Sequence, residues 1–344
     1  TITKVRETSA LLLTSIRDTY RAVYSTSPTP TIPGLDSPAD GSLITITKVW
    51  EIDIAAADGI STLPAWSSAS NNYTQINYSY KKSDGTKLIT YNDTFFHTAS
   101  ADILESRQKT YYDTKDTVNG DDRFVQVQEN FVGTGSGTTV KEGESYTYWM
   151  SKTALAAGGN IALGSAPASI KVTENYLTAG GSNFLESYYY TYNIAEGGKG
   201  KLVLERFEGI KTSLSRVSVE KRYTESFKSH AATVTQSYDP TGSILISQSF
   251  TWKQSGGYKP SGGTLEDSGK VVTVTESYAT DGAAYVPELL LTTEYSYKEV
   301  TGGVFHTITK VRETSALLLT SIRDTYRAVY STSPTPTIPG LDSP

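Results

Sequence analysis

Three histidines, His97, His230 and His306, are all the imidazole the 344 residues contain. Histidine is the commonest general base, and a hydrolase or transferase needs a base, nucleophile or metal cage held in register. The three lie far apart in sequence and share no metal-ligand spacing, so they read as surface or strand-end residues. Glu7 and Glu51 could be taken for a catalytic carboxylate pair. A carboxylate recurs at the same place in unit after unit of this chain, however, which is how a structural position behaves. Asp113, Asp116, Asn119 and Asp121 gather oxygen ligands around Gly120, which is chemistry that suits calcium. Their spacing departs from the D-x-[DN]-x-[DN]-G loop, and an ordinary polar turn is the preferred reading over a calcium site. Gly133-Thr134-Gly135-Ser136-Gly137 precedes no Lys-[Ser/Thr] pair and opens no helix, so it is expected to be a hairpin tip rather than a phosphate cradle. No other cofactor is expected, and nothing in the chain reads as an enzyme.

The elements that would position these residues are set by repetition. Residues 1–38 and 307–344 are identical, which fixes a period of 306 residues. The identity extends through a Pro/Ser/Thr-rich stretch whose side chains could drift freely, so recent duplication explains it better than structural constraint. The chain begins without methionine inside a β-like run, and the expectation is an excerpt of a longer tandem array. Within the period, Thr-Ile-Thr-Lys-Val occurs at 1–5, 45–49 and 307–311. Taking Val5, Val49, Tyr91, Val127, Val172, Val219, Val274 and Val311 as anchors gives steps of 44, 42, 36, 45, 47, 55 and 37 residues. Six of the seven units keep a carboxylate two residues past the anchor, Lys221 being the exception. A second signature, aromatic-Ser/Thr-aromatic, follows as Tyr78-Ser79-Tyr80, Tyr146-Thr147-Tyr148, Tyr190-Thr191-Tyr192, Phe250-Thr251-Trp252 and Tyr295-Ser296-Tyr297.

These runs alternate with period two and are dense in Val, Ile, Thr and Tyr, residues that suit a pleated, half-buried surface. Val272, Val274, Glu276 and Tyr278 should share one face, and Leu289, Leu291, Thr293, Tyr295 and Tyr297 another. Residues 14–24 are the best helical candidate but are assigned to a strand. The fold class is therefore all-β: an elongated, fibre-forming array of about seven β-hairpin or meander modules per 306-residue period. The modules span 1–44, with a Pro-rich loop at 25–38, then 45–86, 87–122, 123–167, 168–214, 215–269 and 270–306. Residues 307–344 open the next period. A hairpin of about 44 residues buries too little to stand alone, so modules must stack on neighbours, on another chain, or both.

Composition narrows the function. Net charge is -5, with 24 tyrosines and 37% hydrophobic residues. No basic footprint for nucleic acid is present, and no apolar run approaches the roughly 18 residues of a membrane span. With no cysteine, disulfide-rich secreted scaffolds are excluded. Pro28, Pro30, Pro33 and Pro38 hold their stretch extended and mark either a long surface loop or an arm that staples a neighbouring chain. Trp66, Trp149 and Trp252 could serve a rival reading as sugar-stacking platforms of a binding module.

In organisation the chain resembles giant tandem-repeat secreted surface fibres and adhesins of bacteria, and among them grappling-hook-type filaments of predatory gliding bacteria. Tyr238-Asp239-Pro240-Thr241-Gly242-Ser243-Ile244-Leu245 more faintly resembles the YD repeats of RHS-type shells, but lacks their Gly-Arg-Leu signature and shorter period. The fibre resemblance implies an extracellular or cell-surface shaft. A single row of thin modules would leave strand edges exposed, which predicts lateral self-association of several chains into a multi-chain filament, with any target bound by regions outside this chain.

Overall fold

A computed structural model describes residues 1–7, 12–23, 42–51, 73–98, 102–117, 122–134, 138–151, 169–179, 182–210, 213–259, 264–301, 303–313 and 318–326. Among them there is no helix, and so none long and apolar enough to cross a membrane. The fold is all-β, and the described residues form eighteen strands, each antiparallel to the one before, in a single meander. The strands are β1 (Ile2–Glu7), β2 (Leu12–Val23), β3 (Leu43–Glu51), β4 (Gln75–Asp84), β5 (Lys87–His97), β6 (Asp102–Asp116), β7 (Asp122–Gly133), β8 (Thr139–Ser151) and β9 (Ser169–Ala179). They continue as β10 (Ser182–Glu196), β11 (Lys199–Ile210), β12 (Ser213–Phe227), β13 (His230–Tyr238), β14 (Leu245–Ser255), β15 (Val271–Gly282), β16 (Tyr285–Thr301), β17 (Val304–Glu313) and β18 (Leu318–Tyr326). The stretch at 14–24 is strand as far as it is described.

The two sequence signatures turn out to be partners across the ladder. Tyr148 lies opposite the anchor Val172, Trp252 opposite Val274 and Tyr80 opposite Tyr91. Anchors and signature aromatics therefore share the buried face, where cross-strand pairs of this kind stabilise a sheet. The opposite face carries threonine pairs: Thr147 with Thr173 at 3.2 Å and Thr251 with Thr275 at 2.9 Å. Buried residues form three clusters in succession along the meander, centred on β2–β6, β7–β12 and β12–β16.

Among the described residues most modules hold two strands, but those anchored on Val172 and Val219 hold three, which gives sixteen described strands, β1 to β16, over one period. The additional strand after β10 makes β12, which bears Val219, run opposite to the other anchor strands, and the one within the next module restores the direction at β15. This inverted strand is the one that carries Lys221 where the others have a carboxylate.

The expected alternation holds at Val272, Val274, Glu276 and Tyr278, all buried. On β16 it holds for Thr293, Tyr295 and Tyr297 but not for Leu289 and Leu291, which are exposed. A register shift explains the correction: Ser277 faces Thr292 but Tyr278 faces Leu290, so Leu291 is the extra residue of a bulge. One extra residue flips every side chain beyond it to the other face, and Leu290 packs on the core instead.

A thin row of hairpins would be expected to expose its two terminal strands. Here β1 pairs with β2 on one side and with β18 on the other, so each covers the other's edge and the sheet closes on itself. Unpaired edges therefore do not supply the reason for lateral association that the sequence suggested.

Gly143 marks a close approach of backbones. It lies opposite Asn130 beside a register shift, and a Cβ there would sit 2.4 Å from the carbonyl oxygen of Tyr176. That oxygen belongs to the β8–β9 ladder and cannot retreat without breaking it. Gly143→Ala should lower the unfolding free energy by about 1–3 kcal/mol, measured by denaturant titration.

Candidate functional site

The residues that combine buried charge with convergent donors are the carboxylates of the inner face. Asp93 on β5 is fully buried and receives both Nε and Nη2 of Arg107 from β6, each at 2.7 Å. The Tyr80 hydroxyl donates to the same carboxylate at 2.9 Å and accepts from Arg107 at 3.1 Å. The Tyr80 and Tyr91 rings stack with centroids 5.1 Å apart, and the Arg107 guanidinium lies over Tyr91. A bidentate guanidinium with a third donor is the arrangement that makes a buried carboxylate tolerable.

The tyrosine–carboxylate pattern recurs along the sheet. Glu174 on β9 accepts from Tyr148 and Tyr176. Glu144 on β8 accepts from Tyr146 and, at 2.5 Å, from Lys141, which also reaches Glu129 at 2.8 Å. Glu276 on β15 accepts from Tyr278 at 2.5 Å, Tyr258 at 3.1 Å and Lys228 at 2.7 Å. Glu266 takes Tyr295 and Arg312. Where Lys221 interrupts the sequence rule, Glu205 on β11 stands directly opposite Val219 and takes over, accepting from Tyr192 at 3.1 Å and Arg216 at 2.6 Å.

Geometry explains why the carboxylate sits two residues past the anchor. The signature tyrosine opposite the anchor leans diagonally along the same face, and its hydroxyl meets the side chain two positions on. Tyr148 over Val172 to Glu174 and Tyr80 over Tyr91 to Asp93 both follow this course. Trp252 occupies the corresponding place over Val274, but its Nε1 donates to Gln254 at 2.8 Å. Tyr258 serves Glu276 in its stead.

Burial, and secondly the neighbouring carboxylate, raises the hydroxyl pKa of Tyr148, Tyr176 and Tyr80 well above the ordinary tyrosine value; at Tyr80 the Arg107 charge partly opposes this. Tyr223, less enclosed, is pushed up to about 12. A phenol whose folded pKa exceeds its unfolded value of about 10 contributes stability that is complete below pH 10 and is lost above it. The protein should therefore unfold above about pH 10, with the phenolate absorbance of these tyrosines rising together with loss of β-sheet signal. Titration of all tyrosines near pH 10 in a folded chain would count against these clusters.

Among the described residues the three histidines are not brought together. His97 bonds Asp102 at 2.6 Å and packs on Tyr73; His306 bonds Asp324 at 3.0 Å and stacks on Tyr326; the His230 ring faces Trp252. Each has its own partner on the following strand. The side chains of Glu7 and Glu51 lie outside those described. Asp113 is held by Lys87 at 2.8 Å and by the amide of Thr114, while Asp116 lies exposed opposite Asp122 at the end of β6. Asn119 and Asp121 lie outside the described residues. Among those described, no three His, Cys, Asp or Glu stand together as a metal cage. Pro28, Pro30, Pro33, Pro38 and Trp66 also lie outside the described residues. Trp149 is 64% exposed, but Trp252 is 3% exposed, so its place among the sugar-stacking platforms is corrected: it faces inward on β14 because it ends a signature whose aromatics face the anchors.

The Tyr238-Asp239 segment folds as a turn. Asp239 accepts the amides of Ile244, Thr241 and Ser243 at 2.9–3.2 Å, which hold its carboxyl down to about 2. Arg216 ties two carbonyls of this turn, those of Pro240 and Thr241, to Glu205.

The fold and its inner face together define a class: a repetitive antiparallel β-meander stapled by tyrosine–carboxylate clusters. No family model matches the chain, and no curated protein or solved structure matches it.

Proposed function

We propose that the chain is a structural repeat of an extracellular filament or adhesin shaft, giving length and mechanical strength for attachment or capture. The observation that carries this reading is the fidelity of the repeat in three dimensions. The pair β17–β18 reproduces β1–β2 residue for residue, with the register shift after Val311 matching that after Val5. In this reading identical periods form identical structural increments, and length can grow by duplication without new interfaces. Antiparallel ladders share load across many hydrogen bonds, and the buried clusters link neighbouring strands within and between hairpins. The acidic and aromatic side chains that a catalyst would use are engaged in this stapling, which favours a shaft over an enzyme. In this reading several chains associate laterally, and the target is bound elsewhere. Electron microscopy of protein carrying several periods tests it: filaments are expected, and isolated globular particles would refute it.

A second reading, a carbohydrate-binding module, is favoured by one feature. Tyr112 and Phe124 are exposed on adjacent strands with rings stacked 5.7 Å apart, and exposed Trp149 lies on the next strand. Glycan-array binding that disappears in Phe124→Ala or Trp149→Ala would select this reading.

A further inference from the structure

The junction that closes the sheet is a copy of a junction elsewhere in the chain. β18 repeats β2 from Leu12 to Tyr20, and β1 and β3 share Thr-Ile-Thr-Lys-Val. On β2, strand β3 places Ile46 opposite Tyr20, Thr47 opposite Thr19, Lys48 opposite Asp18 and Val49 opposite Arg17. On β18, strand β1 places Ile2 opposite Tyr326, Thr3 opposite Thr325, Lys4 opposite Asp324 and Val5 opposite Arg323. Residue pairs and register are the same, down to the threonine contact, 3.0 Å for Thr19 with Thr47 and 3.1 Å for Thr3 with Thr325.

Over the stretch the two junctions share they match in extent: β3 makes six ladder pairs with Ser15–Tyr20 of β2, and β1 makes six with Ser321–Tyr326 of β18. They differ in the side chains brought to the edge: the buried Trp50 of β3 stands where β1 has Arg6, and Val49 is buried where its counterpart Val5 is half-buried. β1 fits the edge of β18 but brings it less apolar surface than a β3-type strand would.

We propose that this edge of β18 is an acceptor for the Leu43–Glu51 strand of a second copy of the period, the copy that opens at Thr307, and that β1 occupies the place of that strand. When the copy continues, its β3 equivalent displaces β1, the closed sheet opens, and the meander runs from one period into the next through a junction the first period already contains. The proposal rests on the tandem-array reading above and specifies how successive periods join.

The test uses the absence of cysteine in the chain. Thr3→Cys with Thr325→Cys should give an intrachain disulfide in the 344-residue protein. Appending the sequence of residues 39–51 after Pro344 should lower the yield of that disulfide by about tenfold or more, given the tryptophan the appended strand carries where β1 has Arg6. Cysteine at the appended counterpart of Thr47 should instead pair with Thr325→Cys. A scrambled tail of the same composition should leave the first disulfide unchanged, which also shows that the extended chain folds. An unchanged Thr3–Thr325 disulfide with the authentic tail would overturn the proposal. That failure is separable from failure of the filament reading, because the cross-links are read on single chains whether or not filaments form.

Discussion

Arg107→Met should lower the unfolding free energy by about 3–5 kcal/mol, because it leaves the fully buried Asp93 carboxylate without its cation. The guanidinium supplies two bonds to Asp93 and one to the Tyr80 hydroxyl. Tyr80 alone cannot replace them, and β5 and β6 close over the site. Desolvation of an unpaired carboxylate outweighs the packing that methionine retains. The companion variant shows that the loss belongs to the stranded charge. Asp93→Leu combined with Arg107→Met removes both charges and should recover most of the stability, since apolar replacement of a buried ion pair is often neutral or favourable. Denaturant titration of both variants checks this. If Arg107→Met alone stays within about 0.5 kcal/mol of the parent, a range typical of surface substitutions, the cluster does not staple the sheet.

Trp252→Ala should cost about 3–5 kcal/mol, the range for removing a buried large aromatic side chain. Its ring lies against Phe227, which itself stacks on Phe250 with centroids 3.8 Å apart, and it holds the face opposite Val274. Trp149→Ala, one inward-to-outward alternation away in kind, should change stability by no more than about 0.5 kcal/mol because its side chain projects outward. The contrast separates two uses of tryptophan that look alike in sequence. Thermal or denaturant unfolding provides the measurement. Equal effects at the two positions would mean that the inner and outer faces have been assigned wrongly.

Much of this architecture was legible from residue spacing. The period-two alternation identified the strands, and the recurrence of the carboxylate marked the positions of Asp93, Glu174 and Glu276, each of which accepts from a tyrosine hydroxyl. What the carboxylate was for could not be read, because Arg107 and Lys228 lie on strands or turns whose apposition only the ladder defines. The signature aromatics and the anchors were recognised separately, yet their pairing depends on register, which alternation within a strand does not specify. Leu289 and Leu291 were misassigned for the related reason that a bulge leaves no mark in a Leu-Leu-Leu run. Trp252 was misjudged because tryptophan suits both a sheet core and a sugar platform. The closure of β1 on β18 was hidden in plain repetition: Thr-Ile-Thr-Lys-Val was noted at both positions, but that the repeated string could serve β18 as it serves β2 emerges only when the two registers are compared.

The central claim is that each period adds a fixed structural increment to an extended array. Small-angle scattering from chains of one, two and three periods addresses it most directly. The account predicts a maximum dimension that grows in proportion to the number of periods. A maximum dimension that rises only as the cube root of mass, as for a compact globule, would contradict it.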